Sequence, residues 1–155
     1  MRITVVQTNA GSNRDANLAQ VRRLVGAAVA ADRPDLVVLP EMMAFMGGSI
    51  EDRRESAEKI PGGVVYRALA DLAREHRIIL HGGSFYEAAP QTELIYNTTV
   101  VFDRAGAELA RYRKIHLFDV TTPGGQSYRE SDVVGRGGDI VTYDADGTKF
   151  GCSIC

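Results

Sequence analysis

Two cysteines in 155 residues are too few for a disulfide framework, and the opening residues lack the long apolar stretch and small-residue cleavage site of an export signal. Free thiols in a reducing cytoplasm are the resulting expectation. No apolar run approaches the roughly 18 residues needed to span a bilayer, so no membrane partner is expected. The net charge is only −2, and the basic residues form no large cluster, which argues against a nucleic-acid partner. Neither G-x-G-x-x-G nor G-x-x-x-x-G-K occurs, so dinucleotide and P-loop sites have no support. Repeats and low-complexity stretches are also lacking. With 45% apolar and 25% charged residues, the composition is that of an ordinary globular domain.

The pattern of elements is α/β. Ile3, Val5 and Gln7 alternate in a β-rich opening run, and Leu18, Val21, Val25, Ala28 and Val29 predict an amphipathic helix over 17–31. Arg33-Pro34 stops it. Leu36-Val37-Val38-Leu39 is a continuous apolar run suited to a strand buried on both faces. A Met-, Phe- and Gly-rich loop follows over 41–48, then a polar surface helix over 49–58. Val65, Ala68, Leu69 and Leu72 predict a second amphipathic helix ending near His76, and Ile78-Ile79-Leu80 another buried strand. Residues 96–102 and 108–113 bracket a hairpin turn at Gly106, and 140–143 and 148–155 a second one at Gly147. Residues 119–138 read as a long loop. The expected architecture is a mixed sheet with helices on at least one face. An apolar final strand normally leads into a further element, so the sequence reads as the front part of a longer protein.

Reactive side chains fall at strand ends or in loops, where rigid sheets commonly present catalytic groups. Glu41 follows the strand ending at Leu39-Pro40, Lys114 follows the strand through Tyr112, Glu130 lies in the long loop, and Cys155 ends the final strand. Cys152-Ser-Ile-Cys155 has C-x-x-C spacing, but residues three apart on a strand face opposite ways. A redox motif would also require a following helix, and a zinc site a second cysteine pair. His76, His81 and His116 are read as structural residues, with His116 a candidate to line a pocket or brace Lys114. Arg111 and Arg113 are read as a solvated strand end. Met42, Met43, Phe45 and Met46 fit either core packing or a flexible pocket wall.

Val38-Leu-Pro-Glu41-Met, Tyr112-Arg-Lys114-Ile-His-Leu-Phe-Asp119 and Gly151-Cys-Ser-Ile-Cys155 resemble, in order, the three signature motifs of the nitrilase superfamily of carbon–nitrogen hydrolases. The opening strand ending in Gln7 and the segment Tyr96-Asn97-Thr98 are similar to that family too. The resemblance implies an α-β-β-α sandwich, of which residues 1–155 would form the N-terminal portion of one carbon–nitrogen hydrolase domain. It further implies Glu41 as general base, Lys114 as electrophilic partner and Cys155 as nucleophile. Tyr128-Arg-Glu130-Ser131 matches the setting of the family's additional glutamate. An isolated thiol ionises near pH 8.5 and needs a base or cation beside it, which a carboxylate and an ammonium would supply.

The implied reaction hydrolyses a small amide to acid and ammonia through a thioester, with no metal or other cofactor. The lysine motif resembles the branch acting on ω-amides of dicarboxylates or on deaminated glutathione. Nitriles, N-carbamoyl amides and a non-catalytic binding module on the same scaffold remain alternatives. The resemblance also implies a homodimer or larger even-numbered homo-oligomer. In this family a backbone N–H just after the nucleophile helps hold the oxyanion, and losing such a donor costs on the order of 10²–10³ in rate. A polypeptide truly ending at Cys155 is therefore expected to be inactive and poorly soluble.

Overall fold

Asn13 accepts a hydrogen bond from the backbone N–H of Ala16, so the first helix, α1 (Arg14–Asp32), begins three residues before the expected start at Asn17. It stops as expected where Arg33 turns left-handed ahead of Pro34. The computed structural model describes residues 1–89 and 91–155. Around α1 the order is β1 (Ile3–Val5), β2 (Leu36–Val38), α2 (Ile50–Ser56), α3 (Val64–His76), β3 (Ile79–His81), β4 (Phe85–Ala88), β5 (Ile95–Phe102) and β6 (Glu108–Arg113). Two hairpins follow, β7 (Asp119–Thr121) with β8 (Ser127–Arg129) and β9 (Thr142–Ala145) with β10 (Thr148–Gly151). Glycine at position 63 gives α3 no side-chain cap. Instead the Glu58 carboxylate accepts from the N–H groups of Val65 and Tyr66 at 2.9 and 2.8 Å.

β1, β2 and β3 pair in parallel, β3 pairs antiparallel with β5, and β5 also pairs antiparallel with β4 and β6. This mixed sheet brings the carboxyl ends of β2, β3 and β6 to one edge. On one face, Val21 and Val25 of α1 and Leu69 and Leu72 of α3 pack with Val37, Leu80, Val100 and Phe102. On the other, Tyr143 and Ala145 of β9 pack with Leu36, Ile79, Val101 and Ala110, and the rings of Tyr143 and Phe150 stack at 5.4 Å. Helices, sheet and hairpin are three successive layers of the expected sandwich. No helix among the described residues is long and apolar enough to cross a membrane.

Three local expectations change. β4 went unread because Glu87 interrupts a short apolar run, and its strand conformation comes from pairing with β5. Residues 119–129 form a hairpin rather than a loop; every position in β7 and β8 is exposed, so no alternation marks them. The final strand ends at Gly151, not Cys155, and is largely exposed. Cys152 still donates its N–H to Val141, but the strand-face argument does not reach Cys155; both thiols are free.

His81, at the end of β3, lies under the β9–β10 hairpin with Nδ1 3.2 Å from the Tyr143 hydroxyl. Burial pushes Tyr143 up to about 12, so the phenol keeps its proton, and the imidazole tautomer sets which of the two groups donates. The same burial lowers the pKa of His81. The unfolded chain therefore takes up this proton first as pH falls through about 6.5. Stability should drop on acidification below that point, by up to about 1.4 kcal/mol per pH unit from this group. Urea midpoints measured from pH 7 to pH 5 check this: His81→Gln should flatten that part of the profile, and an unchanged slope would exclude His81 as its source.

Candidate active site

Glu41 sits on a tight turn past β2 that is locked to the segment after β3. Ser84 accepts from Met42 N–H through its hydroxyl at 3.0 Å and from Met43 N–H through its carbonyl at 3.1 Å. Its own N–H returns a bond to the Pro40 carbonyl. Gly83 has φ +61°, and a Cβ there would lie 2.1 Å from the Pro40 carbonyl oxygen, so only glycine permits this approach. The methionine-rich loop divides by environment: Met43 is fully buried in the core, while Met42 and Met46 line the cavity beside Glu41.

Lys114 is held by its backbone on both sides. Its N–H donates to the Asn97 carbonyl, and its carbonyl accepts from Gly137 N–H, each at 2.9 Å. Gly137 passes so close that a Cβ would stand 2.2 Å from the Arg113 carbonyl oxygen. The Lys114 side chain is buried, with Nζ 3.1 Å from Glu41 Oε1 and 2.9 Å from Glu130 Oε2. Burial alone would lower the lysine pKa, but the hydrogen bonds to Glu130 and Glu41, and their charges, outweigh it and hold the ammonium above its usual value. Glu130 opens a single 3-10 turn after β8, and its Oε2 also accepts from Phe118 N–H at 2.6 Å.

The two glutamates are not equivalent. Both oxygens of Glu130 lie within 3.2 Å of Lys114, and its side chain is 18% exposed. Glu41 is 35% exposed, and both of its bonds, from Lys114 and from Asn97 Nδ2 at 2.8 Å, arrive at Oε1. Oε2 accepts no hydrogen bond from the described residues. Glu41, Lys114, Glu130 and Cys155 line one cavity of about 390 Å³, the four positions expected from the sequence. That volume suits a small molecule. Glu41 and Cys155 also line an adjoining cavity of about 330 Å³ with His81 and Tyr143. Burial raises the Cys152 thiol to about 11, which keeps it protonated and a poor nucleophile.

Two supports have no role in the sequence reading: Asn97 stands only within a family-like segment, and Glu87 is not singled out. Asn97, fully buried on β5, fixes Glu41; its visible signal is a carboxamide inside an apolar strand. Glu87 is buried on the opposite face of the sheet, where it accepts two bonds from Arg113 at 2.6 and 2.8 Å and one from the Thr98 hydroxyl at 2.7 Å. Arg113 also lies over the Tyr96 ring at 4.0 Å, so it is a braced strand residue rather than a solvated end, because a buried carboxylate requires its charge. His116 is exposed and is not part of the cavity lining.

The carbon–nitrogen hydrolase family model matches residues 2–155. The chain is 36% identical to the deaminated glutathione amidase of Dictyostelium discoideum, over 99% of this chain and 55% of that protein. It is 35% identical to the omega-amidase NIT3 of Saccharomyces cerevisiae, over 100% of this chain and 55% of that one. The crystal structure of Saccharomyces cerevisiae Nit3, a member of branch 10 of the nitrilase superfamily, superposes with a TM-score of 0.85 and 29% identity, covering 100% of this chain and 55% of Nit3. This chain belongs to the carbon–nitrogen hydrolase family. It spans about half the length of these relatives.

Proposed function

We propose that the protein is a thiol-dependent amidase that cleaves a small linear amide to the acid and ammonia. The observation that carries this reading is the buried Lys114 ammonium, clamped between Glu41 and Glu130 at the wall of a cavity that Cys155 also lines. In this reading Glu41 Oε2 takes the Cys155 proton, and the thiolate attacks the amide carbon. Lys114 has three N–H donors, of which Glu41 and Glu130 occupy two, so the third meets the developing oxyanion. Glu41 returns the proton to the departing ammonia as the C–N bond breaks. Water then loses a proton to Glu41 and attacks the thioester, releasing the acid and restoring the thiol. Glu130, engaged on both oxygens, positions Lys114.

The names of the relatives, a deaminated glutathione amidase and an omega-amidase, support an amide of that kind as substrate. The reading also has the protein act as a homodimer or larger even-numbered homo-oligomer in the cytoplasm. Its test is Glu41→Gln in the protein expressed from its complete gene, because glutamine keeps an oxygen for Asn97 and Lys114 but accepts no proton. Ammonia release should fall about 10²–10⁴-fold with the fold retained. A loss of less than about tenfold would remove Glu41 as the base.

A further inference from the structure

We propose that Glu87 is a positioning residue for the reaction: through its two-pronged pair with Arg113 it fixes the strand end from which Lys114 reaches Glu41 and Glu130. This rests on the amidase reading. Asn97 and Thr98 on β5 form one block in the sheet with Arg113, the last residue of β6, and Lys114, the residue after it. Thr98 stands opposite Arg113, and Lys114 donates its N–H to the Asn97 carbonyl. Successive side chains along an extended chain leave on opposite faces, so each pair of neighbours divides between the two sides of the sheet. On the site face, Asn97 Nδ2 and Lys114 Nζ converge on Glu41 Oε1 at 2.8 and 3.1 Å. On the reverse face, the Thr98 hydroxyl and the Arg113 guanidinium converge on the Glu87 carboxylate, at 2.7 Å and at 2.6 and 2.8 Å.

Glu87 thereby joins three strands. It belongs to β4, accepts one bond from β5 and accepts two from β6, and its side chain is only 4% exposed. Burial alone would raise its pKa, but the hydrogen bonds from Arg113 and Thr98, with the nearby arginine charges, outweigh it and hold the carboxyl below its usual value. The pair is therefore ionised at neutral pH. Lys114 is where such a fixture matters. Its N–H still bonds β5, whereas the next N–H, of Ile115, turns to the Tyr112 hydroxyl at 3.3 Å. The ends of elements are where local opening costs least. A displacement of about 1 Å in a catalytic group costs on the order of 10²-fold in rate.

An ion pair is not required there merely to fill space. Exchanging a buried pair for uncharged side chains of similar volume is often neutral for stability. What this pair adds is direction: the guanidinium fork meets the carboxylate along two bonds, which sets both the distance and the angle of Arg113 relative to β4. The Tyr96 ring at 4.0 Å from the guanidinium, and Gly137, which passes too close to the Arg113 carbonyl for a Cβ, add two further contacts to the same residue.

The test uses the protein expressed from its complete gene, with ammonia release from succinamate and butyramide and urea unfolding as paired readouts. Glu87→Gln combined with Arg113→Met removes both charges together and leaves a carboxamide oxygen for the Thr98 hydroxyl. The urea midpoint of this double variant should stay at the wild-type value, while kcat falls about 30–100-fold and KM moves by less than about threefold. Arg113→Lys, which keeps the charge and loses the fork, should lose about tenfold in kcat, again at the wild-type midpoint. An unchanged kcat in either variant, or a loss of kcat that is matched by a fall in the midpoint, would overturn the assignment alone, because the pair would then serve the fold and not the lysine. A wild type that releases ammonia from neither amide would overturn the amidase reading and this assignment with it.

Discussion

Lys114→Met is expected to damage both stability and turnover, because its ammonium is the single positive charge between two carboxylates. Removing it leaves Glu41 and Glu130 without the ammonium that both contact, with the Glu130 side chain only 18% exposed. Breaking a buried pair by deleting one partner costs roughly 3–5 kcal/mol. The partial exposure of Glu41 puts this site near the lower end of that range. Pairing the change with Glu130→Gln should recover part of the loss, since the second substitution has less left to destroy. Urea unfolding of the two single variants and the double variant checks this; a Lys114→Met cost below about 1 kcal/mol would mean the clamp is mostly solvent-screened. Turnover in the same variant should fall by at least about 10²–10³ from the lost oxyanion donor alone.

The second large effect concerns the two thiols. Cys155→Ser should lower amide hydrolysis by about 10⁴-fold or more, in line with losses seen when a covalent nucleophile is removed. Cys152→Ala should leave kcat within about threefold, because burial holds that thiol near 11 and it packs with Val141 and Phe150 against the sheet. Steady-state ammonia release for both variants discriminates them. Equal sensitivity at positions 152 and 155 would point to a dithiol role instead of a single nucleophile.

The sequence was most legible where one short segment decides its own structure. Continuous apolar runs located the strands around Val37 and Leu80, and helical periodicity the helices through Val25 and Leu69, since each signal is contained in one short segment. Glu41, Lys114, Glu130 and Cys155 were legible by motif, and the fold brings them to one cavity because β2 and β6 end at the same edge of the sheet. What escaped depends on partners distant in sequence. Asn97 reaches Glu41 across 56 positions, and Arg113 reaches Glu87 across 26, so neither pairing leaves a local pattern. β4 is a strand because β5 lies beside it, and the β7–β8 hairpin has no buried face to mark it.

The central claim is that a carboxylate, an ammonium and a thiol act on one substrate, with sulfur forming the bond. Acid quenching during turnover, followed by peptide-resolved mass spectrometry, tests this most directly. The account predicts an acyl group of the substrate's mass on Cys155, absent from Cys152 and lost in Glu41→Gln. Sustained amide hydrolysis with no adduct on Cys155, or with the adduct on another residue, would contradict it.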